Sequence, residues 1–134
     1  MIDHEQLAAR IEALDGPSRE VDAEIYAWVR MSLYGSPEAY PAPSGKGRVV
    51  CWYKSGTHGT TIAPRYTASL DAAMSLVPEG ASWEMRWFSG DKKSWITFFP
   101  PGDAEDDYFH IYNARTPALA LCAAALRARR QNDG

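Results

Sequence analysis

Trp83-Glu84-Met85-Arg86-Trp87-Phe88, then Ser89-Gly90-Asp91-Lys92-Lys93, then Ser94-Trp95-Ile96-Thr97-Phe98-Phe99 is the stretch that decides the fold. Aromatic and β-branched residues fill the two flanking segments, and glycine, aspartate and lysine fill the centre, which reads as a β-hairpin. A third strand is expected from Tyr108 to Tyr112, after Pro100-Pro101-Gly102-Asp103 and its acidic continuation. With Phe88 placed opposite Ser94, one face collects Trp83, Met85, Trp87, Trp95 and Phe99. The other then holds Phe88, Ile96 and Phe98 beside Glu84 and Arg86. Shifting the register by one residue swaps these assignments but leaves apolar residues on both sides. A sheet with one wet face alternates more cleanly, so helices are expected on both faces.

Working outward, the required helices are present as patterns. Leu7, Ala8, Ile11 and Leu14 make one stripe between Asp3 and Asp15, stopped by Gly16-Pro17. Ser18 caps a second helix whose Val21, Ile25, Trp28 and Val29 share a face. Thr67 or Ser69 caps a third, with Asp71 in its positive first turn and Pro78-Glu79-Gly80 at its end. Thr116 caps the last, Pro117 takes its first position, and Leu119, Cys122, Ala123 and Leu126 form its stripe. Arg127, Arg129 and Arg130 complement the negative end of its dipole. From Leu33 to Arg48 the density of proline and glycine predicts a surface loop. Val49 to Tyr53 is β-prone, and Ser55 to Thr61 returns to polar loop. The expectation is an α+β chain: one domain over residues 1–134, a three-layer α-β-α sandwich around a small, mainly antiparallel sheet, with a variable loop insertion at about 32–64.

Three stretches in order resemble the phage ABA sandwich domain family of small phage and prophage proteins. They are Gly16-Pro17-Ser18-Arg19-Glu20-Val21-Asp22, Tyr66-Thr67-Ala68-Ser69-Leu70-Asp71-Ala72-Ala73 running to Leu76-Val77-Pro78, and Ala114-Arg115-Thr116-Pro117 continuing to Leu126. Residues 32–64 are the least family-like part. The resemblance implies the three-layer sandwich and a phage setting, and no activity, because the matched positions are caps and core.

With 46% apolar and 23% charged residues over 134 positions, the chain has the makeup of a folded domain. Its net charge of -3 gives no global attraction to nucleic acid. The opening Met1-Ile2-Asp3-His4-Glu5-Gln6 does not read as a secretion signal, and no apolar run is long enough to span a bilayer; a cytoplasmic protein with no membrane partner is expected. The two cysteines, Cys51 and Cys122, are expected to be reduced.

Candidate chemistry is sparse. Cys51 and His58 form the one imaginable nucleophile and base, but Cys51 alternates within an apolar strand and Cys122 lies on an apolar helical stripe, where cysteine behaves as a small hydrophobe. The acidic run Asp103, Glu105, Asp106, Asp107 imitates a calcium loop but puts Tyr108 where the turn glycine belongs, so no metal is expected. Ser44-Gly45-Lys46-Gly47 and Gly56-Thr57-His58-Gly59-Thr60-Thr61 fit no phosphate-loop pattern, and no cofactor is expected. The abundance of tryptophan and tyrosine points instead to recognition. The leading expectation is a non-enzymatic accessory protein that binds a host protein or a small anionic ligand. For an anion, the donors would be Lys54, His58, Thr60 and Arg65, with Trp52 or Tyr66 as the stacking face. Self-association as a structural or assembly protein is the second expectation, making a homo-oligomer, and a small cysteine-dependent enzyme is the third.

Overall fold

The computed structural model describes residues 4–99 and 110–133. It is α+β with antiparallel sheets, in the order α1 (His4–Glu12), α2 (Arg19–Ser32), β1 (Glu38–Pro41), β2 (Arg48–Trp52), β3 (His58–Ile62), α3 (Leu70–Met74), β4 (Ser82–Phe88), β5 (Lys93–Phe99), β6 (His110–Ala114) and α4 (Pro117–Asp133). The strands form two three-stranded sheets, ordered β1-β2-β3 and β4-β5-β6, rather than one. The expected loops at Leu33 to Arg48 and Ser55 to Thr61 are corrected here: each contributes a strand, and the 32–64 segment is a small antiparallel sheet. Proline and glycine misled the reading because they sit at the strand margins, as Pro41 does, or in the connections. Gly45, Lys46 and Gly47 take successive positive φ values of 72, 60 and 77° between β1 and β2. The acidic run and Tyr108 lie outside the described residues.

Local chemistry sets the helix starts as expected. The Ser18 hydroxyl accepts from the Val21 N–H, that of Ser69 from Ala72, and that of Thr116 from Leu119. The last helix departs from the stripe reading. Every residue from Ala118 to Leu126 is buried, so α4 is apolar all round rather than on one side. It packs on β5 and β6 through one surface and on α1 and α3 through others. Its last described side chains are tied down as well: Arg127 meets Glu12 at 2.7 Å and Glu5 at 3.3 Å, and Arg129 donates to the Leu76 carbonyl at 2.7 Å.

Helix α2 is buried on two opposite faces. Val21, Ile25, Trp28 and Val29 enter the main core, while Ala23 and Ala27 lie against Ala39, Val49 and Cys51 of the first sheet. Alanines at that contact let the helix sit close to the strands. Helix α2 therefore lies between the first sheet and the main core, and each sheet is covered on one face by helices among the described residues. In the second sheet Phe88 pairs with Lys93, one residue from the register considered above, so Trp83, Met85 and Trp87 share a face with Ile96 and Phe98. That face meets α4. On the other, where a second helical layer was expected, Phe88 and Phe99 are exposed around a partly buried Trp95.

One buried polar cluster joins α2 to the segment after β3. Asp22 is fully buried, and its Oδ1 accepts from the Thr67 N–H at 2.8 Å and the Thr67 hydroxyl at 2.7 Å. Its Oδ2 meets Arg19 Nη1 at 2.8 Å, and Arg19 Nη2 donates to the Ala63 carbonyl at 2.8 Å. A side chain on Gly47 would collide with the Arg19 guanidinium, so glycine there makes room for the cluster. Removing one partner of a buried ion pair costs about 3–5 kcal/mol, because the others stay dehydrated and unpaired. Asp22→Ala is thus expected to lower stability by about 3 kcal/mol and the melting temperature by roughly 10 °C. Urea and thermal melts monitored by circular dichroism check this; a loss below about 1 kcal/mol contradicts the assigned role.

Candidate functional site

Strand alternation divides the first sheet into an inner and an outer face. Val49 and Cys51 are buried against α2, while Arg48, Val50 and Trp52 point away from it. Cross-strand pairing then sets Glu38, Trp52 and His58 in one row of the outer face, and Tyr40, Val50 and Thr60 in the next. The Trp52 and His58 rings meet with centroids 4.6 Å apart. This geometry corrects the one imagined catalytic pair. Cys51 lies opposite Gly59 and faces inward, whereas His58 lies opposite Trp52 and faces outward.

At the end of the sheet where β1 begins and β2 finishes, a groove of about 160 Å³ opens between the C-terminal end of α2 and the β2–β3 turn. Its walls include Arg30, Tyr34, Trp52, Tyr53 and Lys54. The turn holds Lys54 there through Tyr53 N–H to Thr57 carbonyl (2.8 Å) and Gly56 N–H to Tyr53 carbonyl (3.0 Å), with Gly56 at φ 89°. Gly59 leaves room for the Tyr53 hydroxyl, which an added Cβ would meet at 3.3 Å. The Arg30 guanidinium lies 5.4 Å from the Tyr34 ring centroid and 6.0 Å from that of Tyr26. Its Nε is buried and has no hydrogen-bond partner among the described residues. Partial burial works against its charge, but hydrogen bonding to Tyr26 and the neighbouring Cys51, Tyr26 and Tyr53 groups outweigh it, so its proton is held more tightly than usual.

The expected anion-binding residues separate into three groups. Trp52 and Lys54 line the groove, and His58 backs Trp52. Thr60 is exposed on the outer face one row away. Arg65 and Tyr66 are elsewhere: they follow Ile62, at the far end of β3 from the turn, about 14 Å away at the rise of an antiparallel strand. Tyr66 is buried in the core with its ring 6.4 Å from that of Tyr26, so it cannot serve as an exposed stacking face. Arg30 and Tyr34 were missed in the sequence because a cation at a helix C-terminus already has an explanation in the helix dipole. Of the two glycine-bearing segments considered as phosphate loops, the first connects β1 to β2 and the second runs from the β2–β3 turn into β3, so neither opens a helix.

Among the described residues no cluster of three or more His, Cys, Asp or Glu side chains is placed to hold a metal ion, and no helix is long and apolar enough to cross a membrane. The chain matches no family model, no curated protein and no solved structure.

Both thiols are free and buried. Cys122 donates to the Tyr66 carbonyl at 3.2 Å, and burial, with a smaller contribution from Asp22, pushes its thiol well above the ordinary value of 9.0. Burial likewise raises Tyr66 above 10.0. Native protein is therefore expected to resist iodoacetamide at both cysteines and to react at both in guanidinium; rapid native labelling at Cys51 or Cys122 contradicts the packing. The unfolded chain releases the Cys122 and Tyr66 protons at lower pH than the folded one. The stability they contribute is therefore complete below the ordinary thiol value and is lost as pH climbs above it. Urea midpoints should fall as pH rises above about 9, and fall less steeply in Cys122→Ala.

Proposed function

We propose that the protein is a phage or prophage accessory protein that works by binding rather than by catalysis, and that its groove takes a small anionic ligand. The phage setting rests on the three helix-entry stretches that resemble the phage sandwich family. The binding reading rests on one observation: the buried, unpartnered Nε of Arg30 in a groove that also presents Lys54, Trp52 and Tyr53. Two cations supply charge-assisted hydrogen bonds, and the aromatic rings supply an apolar face, so a carboxylate or phosphate carried on a flat ring fits both. At about 160 Å³ the groove is smaller than the roughly 300 Å³ at which pockets begin to enclose a drug-sized ligand. It holds the anionic head and leaves the remainder over Trp52 and the outer face. Hydrolytic or transfer chemistry has no assembled nucleophile to use among the described residues, since Cys51 and His58 face opposite ways.

Phenyl phosphate, inorganic phosphate and phenol serve as probes in calorimetry and amide-shift titrations. Phenyl phosphate is expected to bind most tightly, with shifts centred on Arg30, Trp52 and Lys54. A charged hydrogen bond contributes about 1.5–3 kcal/mol, so Arg30→Met and Lys54→Ala should each weaken binding by about tenfold or more. Arg65→Ala should leave affinity unchanged. Equal loss on Arg65→Ala, or no shifts in the groove at millimolar phenyl phosphate, rejects this site.

A further inference from the structure

Among the described residues, strand β4 pairs with β5 alone and so forms an edge of the second sheet. Its sequence from Ser82 to Phe88 contains no proline or glycine, and its edge presents unpaired backbone groups. Edges of this kind are ordinarily guarded by charge, and β4 carries Glu84 and Arg86, both exposed. A guard of one sign would repel a second copy of itself. Here the two signs are placed symmetrically about Met85.

We propose that the protein forms a two-fold dimer through antiparallel pairing of β4 with β4 of a second copy, centred on Met85. In this register Glu84 lies opposite the partner's Arg86, and Arg86 opposite the partner's Glu84, on the face that no helix covers among the described residues. The same pairing sets Trp83 opposite the partner's Trp87 on the other face. Trp87 is 56% exposed in the single chain, so the partner covers an aromatic ring that the fold leaves in water. Glu84 and Arg86 make no ion pair within the described residues, and their nearest cross-strand neighbours on β5 are Thr97 and Trp95. Both charges are thus available to a partner. Ladder hydrogen bonds join the two edges whichever set of β4 peptide groups faces outward, because a two-fold axis through Met85 is compatible with either kind of antiparallel pair. Two three-stranded sheets become one sheet of six strands, and the exposed edge disappears. This surface shares no residue with the groove at Arg30.

Sedimentation equilibrium at micromolar concentration tests the idea. The wild-type chain is expected at twice 14.9 kDa. Glu84→Arg and Arg86→Glu each set like charges opposite one another at both ends of the register, and each should raise the dissociation constant by about tenfold or more. The double variant E84R/R86E restores opposite charges and should restore the dimer. As a second measurement, carbodiimide treatment of the R86K variant should join Glu84 to position 86 of the partner, giving a covalent dimer on denaturing gels. A monomeric wild type, single variants that stay dimeric, a folded double variant that stays monomeric, or no covalent dimer from R86K overturns the proposal.

Discussion

The buried carboxylate of Asp22 is the constraint on which the rest of the structure depends. Stripped of water, it must be met by donors from whatever surrounds it, and it recruits Arg19 from its own helix and Thr67 from a segment 45 residues away. Arg19 then reaches the Ala63 carbonyl beside Gly47, which clamps the first sheet to the start of α2. Tyr66, next to Thr67, accepts from the Cys122 thiol and so carries the tie into α4. Sheet, helix and central helix are oriented by one dehydrated charge. The groove inherits that orientation: Arg30 is eleven residues beyond Arg19 on the same rigid helix, about 16 Å along its axis, and docking α2 on the sheet brings Arg30 to the end of β2.

The way the helices cover the two sheets has consequences for the surface. Helix α2 and the all-apolar α4 satisfy one face of each sheet, and among the described residues no helix covers the others. Each open face responds differently. The first mixes charge with Trp52, His58 and Tyr40, and its end carries the cationic groove. The second concentrates Phe88, Trp95 and Phe99 beside a strand edge with alternating charge. The proposed ligand groove and the proposed dimer edge draw on different sheets for this reason.

What the amino-acid sequence determined by itself is what lies within a few residues along the chain. The Ser18 cap, a cap at Thr67 or Ser69, the Thr116-Pro117 helix start, a hairpin turning through residues 89–93 and the α+β class were all legible, because a cap or a turn depends on atoms one to four residues away. Trp52, Lys54 and His58 were legible as neighbours for the same reason, since one tight turn joins them. The tertiary structure alone decided the rest. Strands β1 and β3 have weak local signals and exist because β2 and α2 give them something to pair with and pack on. The face each β5 residue takes, the burial of Tyr66, the opposed directions of Cys51 and His58 and the arrival of Arg30 beside Lys54 all follow from long-range register and docking. A slip of one residue reverses every face of a strand at almost no local cost, so only the helix packed across it can choose.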